Sequence, residues 1–278
     1  MNLSAAIILG LIQGLTEFLP VSSSGHLALA KSILGLDADA KEFTALVVFV
    51  HLGTALSVIT VYRREVSTMI HQIFQAMGRP ANEHRLPMMA EEYQGSKSFR
   101  MVVLVAVTLV PTAIAFLFMK DVIETFFDEP KWVGVMLVLT AVLLALTIIR
   151  KNPKGKLSPA KAFLVGVAQS FAMLPGISRS GSTIAMALYL NVDREKAANF
   201  SFLMALPVIL IGAVLECRIL IEQGNDAQQW GFIFVATLVA YLSGLLAIRL
   251  VLHFVTKGKL QYFAIYCLVV GVIAFTRA

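Results

Sequence analysis

Six polar side chains able to do chemistry together fall within one short stretch, Gln13-Gly-Leu-Thr-Glu17-Phe-Leu-Pro-Val-Ser22-Ser23-Ser24-Gly25-His26. Gln13 and Glu17 are four apart, so on a helix they share a face and can hold one cation or polar group between them. Pro20 ends or kinks that helix. Ser22, Ser23 and Ser24 then form a hydroxyl-rich turn, and Gly25 opens a second short helix whose N–H groups favour an anion. His26 sits in its first turn. A hydroxyl, an imidazole and a carboxylate in one turn supply a nucleophile, a general base or acid and a group to orient it. A second cluster reads Leu174-Pro175-Gly176-Ile177-Ser178-Arg179-Ser180-Gly181-Ser182-Thr183. Arg179 presents a planar fork suited to phosphate, with a charge that cannot be titrated away. Ser178, Ser180 and Thr183 add hydroxyl donors, and the helix start adds backbone N–H groups, so the segment reads as an oxyanion clamp.

The elements that must position these clusters lie in lipid. Of 278 residues 58% are hydrophobic and only 14% charged, against roughly 25% charged in soluble proteins. With mean hydropathy at +0.80, one core cannot hide the apolar residues, which excludes a soluble fold and makes this a polytopic, all-α membrane protein. The net charge of +6 fits basic cytoplasmic loops better than a nucleic-acid footprint. Cys217 and Cys267 lie in or beside apolar segments and read as small hydrophobes, with no disulfide framework or metal cluster.

Six stretches are long and apolar enough to cross: Phe43 to Tyr62, Met101 to Met119, Trp132 to Ile149, Ala197 to Leu215, Trp230 to Ile248 and Leu260 to Thr276. Leu3 to Leu36 and Ala162 to Leu190 are instead interrupted by Pro, Gly and Ser, and read as re-entrant helix-turn-helix segments. Ala28-Leu29-Ala30 imitates a signal-peptidase site, but no basic region follows Met1 and Glu17 would sit inside the apolar core of such a peptide. At an offset of 156, Gly10, Gln13, Ser22, Ser24 and Gly25 match Gly166, Gln169, Ser178, Ser180 and Gly181. Three spans follow each broken segment. An odd number of spans per half gives a single integral domain over 1–278, built from repeats 1–150 and 157–278 of opposite topology.

Placing the 63–99 loop in the cytoplasm collects sixteen Lys and Arg there and leaves six on the other side, as the positive-inside rule expects. The first broken segment then dips in from the periplasmic side, the second rises from the cytoplasm, and their tips meet near the midplane. The loop, with its Gly78-Arg79-Pro80 turn, reads as a solvated connection carrying an amphipathic helix.

Nearly all of the 40 formal charges map to loops or span ends; Glu17 and Arg179 fall inside the broken segments. An ionised group at depth costs about 2.5 to 3.5 kcal/mol on an insertion scale, so it persists when paired or in a polar cavity, usually for function. A purely structural Glu17–Arg179 strut is the bland reading; the neighbouring Ser23 and His26 argue for more. Gly134, Gly212, Ser243 and Gly244 read as helix-packing positions. His51, within a span, is either a satisfied polar group or a site neighbour, while His71, His84 and His253 read as solvated.

At this point the chain resembles a known family, the membrane-integral undecaprenyl-diphosphate phosphatases, or bacitracin-resistance proteins. The family's Glu or Gln four residues before a Glu stands here as Gln13 and Glu17, its Pro-Val-Ser-Ser-[Ser/Thr]-Gly-His turn as Pro20 to His26, and its Pro-Gly-x-Ser-Arg-Ser-Gly-x-Thr segment as Pro175 to Thr183. The resemblance implies hydrolysis of the C55 isoprenoid diphosphate to monophosphate and inorganic phosphate, in a bacterial plasma membrane, with the site opening to the periplasmic face. It implies a divalent cation, magnesium or calcium, with Glu17 and Gln13 as candidate ligands. It carries over Glu17 and His26 as acid/base or metal-associated groups, Ser23 as candidate nucleophile and Arg179 as phosphate clamp. Gln13, an amide, weakens any scheme in which that position must be an anion. Ser22, Ser24, Ser178, Ser180 and Thr183 are expected to contact substrate alongside Gln13. The expected partners are a polyprenyl diphosphate and membrane lipid, not nucleic acid; a homodimer is compatible with the pattern. In the expected mechanism Ser23 attacks the terminal phosphorus, His26 assisted by Glu17 handles the proton and Arg179 stabilises the transition state; His26 or a metal-bound water as nucleophile stays open. The competing class is a transporter or flippase for an anionic lipid or solute, which would need Arg179 but not Ser23. A membrane scaffold leaves both deep charges unexplained.

Overall fold

The computed structural model describes residues 2–34, 40–78, 85–127, 130–223 and 227–277. The Arg79-Pro80 turn, Leu36 and His84 lie outside the described residues, as does the side chain of Cys217. Among those described, twelve α-helices run in the order α1 Leu3–Phe18, α2 Ser23–Ile33, α3 Ala40–Val61, α4 Arg63–Met77, α5 Arg85–Gly95, α6 Lys97–Phe127, α7 Pro130–Leu146, α8 Pro159–Phe171, α9 Arg179–Tyr189, α10 Arg194–Gln223, α11 Ala227–Thr256 and α12 Gln261–Arg277. The chain is an all-α polytopic membrane protein.

Five of the six expected spans are helices of crossing length, within α3, α6, α7, α10 and α11. The sixth, α12, has 17 residues. At about 1.5 Å per residue it covers about 26 Å, the lower limit for a crossing. It does not stand alone, because it packs along α7. There Gly134 and Gly271 face each other: a methyl group on either would lie 2.7 or 2.8 Å from the other's carbonyl oxygen. Small residues let the two backbones touch where apolar side chains would hold them apart. Ser243 packs on Gly14, and Gly244 on Ser57 and Phe18, as expected of small residues. Gly212 departs from that expectation. A methyl group there would meet open space, because this stretch of α10 turns outward, as the exposed Ile211 and Val214 beside it indicate.

Both broken segments form. The helix α1 stops where Pro20 removes a donor, and α8 stops before the Pro175-Gly176 turn, where Gly176 takes φ +96. Their returning arms, α2 and α9, are each 11 residues long and start 156 residues apart. Ser22 caps α2 by accepting from the Gly25 N–H, and Ser178 caps α9 by accepting from that of Gly181. The segments are clamped crosswise. α1 packs on α11, the penultimate helix of the other half, and α8 packs on α6. The tips meet: a methyl group on Gly25 would lie 3.1 Å from the Gly176 Cα, and one on Gly181 would lie 3.3 Å from the Pro20 Cβ.

The main buried cluster, with Phe18, Ile184, Leu188, Phe200, Phe202, Met204, Ile248 and Val251, lies among α1, α9, α10 and α11. Phe18 meets Phe202 edge to face, with centroids 5.5 Å apart. That contact fixes the end of α1, one residue from Glu17. The loop after α3 contains two helices, and α4 is amphipathic, with Ile70, Ile73, Phe74 and Met77 exposed along one side. If the α7–α12 contact is as tight as this, Gly134→Val forces the backbones apart and destabilises the protein by about 1–3 kcal/mol. A lower unfolding midpoint in detergent measures this; an unchanged midpoint would contradict the packing.

Candidate active site

Glu17 lies on the buried face of α1 with Gln13 and is only 7% exposed. Each of its oxygens has partners from a different part of the chain. Oε1 accepts from Arg179 Nη2 at 2.5 Å, across 162 residues. Oε2 accepts from Ser23 Oγ at 2.6 Å and from Gln13 Nε2 at 3.0 Å. His51 Nε2, on α3, stands 3.7 Å from Oε2. The second Arg179 nitrogen, Nη1, donates to the Ser201 carbonyl on α10 at 3.3 Å. Two broken segments and two full spans therefore converge on one ion pair.

A carboxylate and a guanidinium removed from water each carry a large desolvation cost, offset only where geometry is good and the remaining polar atoms are satisfied. Here both carboxylate oxygens are hydrogen-bonded and the guanidinium has two acceptors. The α2 helix begins at Ser23, so its hydroxyl is held over the carboxylate by the helix start. Ser22, the residue before it, has φ 71, a left-handed conformation that is strained for a residue with a Cβ. That turn geometry is what swings Ser23 back over α1.

His26 departs from the sequence expectation. Its hydrogen bonds do not go to Glu17: Nδ1 lies 2.7 Å from the Ser22 carbonyl oxygen and Nε2 lies 2.8 Å from the Tyr266 hydroxyl. The carbonyl can only accept, so Nδ1 carries the hydrogen and Nε2 of the neutral ring accepts from Tyr266. The two rings stack at 5.6 Å with an interplanar angle of 9°. His26 is pulled away from Glu17 because α2 leads it toward α12, while Ser23, three residues earlier on the same helix face, stays with the carboxylate.

The other expected substrate contacts also differ. Ser178, Ser180 and Thr183 are almost fully buried. Ser178 caps α9, Ser180 Oγ donates to the Leu19 carbonyl at 3.3 Å, and Thr183 Oγ1 lies 2.6 Å from Ser201 Oγ. These hydroxyls are committed to protein, tying α9 to the first turn and to α10, so they shape the clamp from behind. Ser22 Oγ lies 3.3 Å from Ser24 Oγ besides capping α2. Thr140 on α7 holds the second turn, donating to the Gly176 carbonyl and accepting from the Ser178 N–H. Cys267 on α12 approaches the Pro20 carbonyl, with sulfur at 3.6 Å.

Three neighbours were absent from the sequence motifs. A lone histidine in an otherwise uncharged span was the signal for His51. Ser201 and Tyr266 had none, since a serine or tyrosine within an apolar helix reads as packing or lipid contact. Among the described residues no three His, Cys, Asp or Glu side chains converge as a ready-made metal cage. The Gln13 side-chain oxygen is buried without a hydrogen-bond partner, one helical turn from Glu17. An orphaned oxygen beside a carboxylate suits a hard cation that takes its remaining oxygens from a ligand phosphate and water.

Residues 6–273 match the family model described as bacitracin resistance protein BacA. A protein named undecaprenyl-diphosphatase from Salinibacter ruber is 49% identical over 266 residues, covering 96% of each chain. Proteins of the same name are 38% identical in Bacteroides fragilis, over 96% of this chain and 95% of that one, and 37% identical in Halothermothrix orenii, over 100% and 99%. With the two motifs joined in space and similarity running along nearly the whole chain, the protein belongs to the BacA bacitracin resistance family.

Proposed function

We propose that this protein hydrolyses undecaprenyl diphosphate to undecaprenyl phosphate and inorganic phosphate, recycling a lipid carrier for envelope polymers. The observation that carries the reading is the convergence of Ser23, Glu17 and Arg179 within direct hydrogen-bond reach. The family and the shared name of its relatives support the substrate. A transporter would use the guanidinium but has no need of a hydroxyl held on a carboxylate.

Ser23 Oγ bonds to the terminal phosphorus as the bridging P–O bond breaks and the isoprenyl monophosphate leaves. The serine proton passes to Glu17 Oε2, its hydrogen-bond partner at 2.6 Å. Phosphoryl transfer of this loose kind needs charge neutralisation and in-line placement more than a strong base, so a carboxylate beside a guanidinium suffices. Arg179 releases Glu17 and takes the transferred phosphoryl oxygens with its fork. Water then splits the phosphoserine: its oxygen joins phosphorus, Glu17 returns the proton to Ser23, and His26 Nε2 takes the proton of the water. The Ser22 carbonyl keeps His26 in the tautomer whose Nε2 is an acceptor, and the Tyr266 hydroxyl that occupies Nε2 at rest gives way to the water. Gln13 and Glu17 would hold a magnesium or calcium ion, which supplies further neutralisation of the diphosphate charge.

We read the chain as an inverted repeat of 1–150 and 157–278. Crosswise packing, two equal returning arms and the reciprocal tip contacts support it, since Gly25–Gly176 becomes Gly181–Pro20 when both pairs are shifted by 156. The basic side of the chain then faces the cytoplasm, and the site opens toward the outer face of the plasma membrane, where the isoprenoid tail stays in lipid as the head enters.

Phosphate release from the purified protein given a polyprenyl diphosphate tests the reading directly. Ser23→Ala is expected to lower kcat by about 10³-fold or more; ample residual turnover would remove Ser23 as nucleophile. Arg179→Lys keeps the charge but loses the fork, and should cost about 100-fold in kcat with the unfolding midpoint little changed. A large midpoint shift with turnover intact would instead make the pair a strut. Chelation should abolish turnover and added magnesium or calcium restore it; activity indifferent to chelator would exclude the cation.

A further inference from the structure

About 15 Å along α3 from His51, at roughly 1.5 Å per residue, a second polar feature has no part in the chemistry above. A cleft of about 440 Å³ opens where α3 ends, α4 begins and α11 passes, lined by Thr60, Val61, Arg63, Arg64, Glu65, Leu245 and Arg249. Among the described residues, none of the three guanidiniums makes a hydrogen bond or ion pair. Three guanidiniums against the single carboxylate of Glu65 leave the cleft with an excess of positive charge, which an anion held among the arginines neutralises.

The surroundings select the kind of anion. Leading away from the cleft, Leu245, Leu242 and Leu238 continue the Arg249 face of α11 at helical spacing, and Leu56 continues the Thr60 face of α3. Leu238, Leu242 and Leu56 are 46%, 55% and 50% exposed on a helix pair that crosses the membrane. An ionic patch at the end of a lipid-facing apolar track matches an amphiphile, with the charged head on the arginines and the chain along the leucines. Sorting of basic residues to one side of a membrane needs only their number; it does not require three of them to line one cleft.

We infer that this cleft is a second lipid site, separate from the Glu17–Arg179 centre, which binds the phosphate head of an anionic membrane lipid through Arg63, Arg64 and Arg249. The arginine forks grip the phosphate oxygens, Thr60 offers a hydroxyl, and the chain lies on α3 and α11. Both anionic glycerophospholipids and isoprenyl monophosphates carry this chemistry.

Native mass spectrometry of the purified full-length protein tests it, by titrating phosphatidylglycerol, phosphatidylcholine, a polyprenyl monophosphate and inorganic phosphate. Phosphatidylglycerol or the polyprenyl monophosphate should be retained in preference to phosphatidylcholine, and competition between the two identifies the source of the phosphate. Each arginine near a membrane surface contributes about fivefold in affinity. The R63Q/R64Q/R249Q variant should therefore bind the preferred lipid about a hundredfold more weakly, while still hydrolysing substrate. Should that variant fail to fold, R249Q alone, expected to lose about fivefold, decides the matter. Equal retention by wild type and variant, equal binding of phosphatidylcholine, or binding of inorganic phosphate without any lipid would overturn the proposal.

Discussion

The ion pair between Glu17 and Arg179 is the constraint on which the rest of this structure depends. Two charges separated by 162 residues in sequence meet at 2.5 Å within a protein whose surroundings are largely hydrocarbon. Neither would be tolerated alone at that depth. Their mutual attraction is not enough to offset desolvation, so the site adds Ser23, Gln13 and the Ser201 carbonyl to complete the hydrogen bonding. Because each of those groups sits on a different segment, satisfying one ion pair fixes the relative placement of α1, α2, α9 and α10. The same interactions that make the pair stable also aim a hydroxyl at it, so stability and chemistry draw on one set of contacts.

Holding two irregular turns together inside a helical bundle poses a backbone problem, since residues in a turn lose their helical partners. The protein meets it in matched ways on the two turns. Serine caps close both returning helices. Thr140 on α7 serves the second turn and Cys267 on α12 approaches the first, and α7 and α12 are themselves locked by facing glycines. The turns are not identical, however. The first carries its left-handed residue at Ser22, next to the hydroxyl it positions, whereas the second carries it at Gly176, where no Cβ is present to resist. The strained conformation therefore lies in the broken segment that bears Ser23, and the relaxed one in the broken segment that bears Arg179.

Much of the architecture was legible because lipid imposes simple rules. Long uncharged stretches became helices, Pro20 and the Pro175-Gly176 pair broke two of them, and charges at depth marked the centre. Legibility failed where the outcome depended on direction. Spacing alone put His26 with Glu17, but the path of α2 carries the imidazole to Tyr266 and leaves the serine with the carboxylate. Composition alone made Ser178, Ser180 and Thr183 ligand donors; the close approach of α9 to the first turn and to α10 turns them inward. The last apolar segment read as a span and forms a helix at the lower length limit for a crossing; what spacing could not give is that it lies along α7.

What the sequence determined by itself is the solvent, the helices, their breaks and the identity of the groups brought to depth, because hydrophobicity, proline geometry and the cost of buried charge act locally. What only the tertiary structure decided is which polar atoms face one another. Hydrogen bonds operate over about 3 Å, far less than the uncertainty in where one helix lies against another when only its residues are known. Ser23 on Glu17, His26 on Tyr266 and His51 beside the carboxylate are consequences of packing between segments remote in the chain, and no pattern along it specifies them.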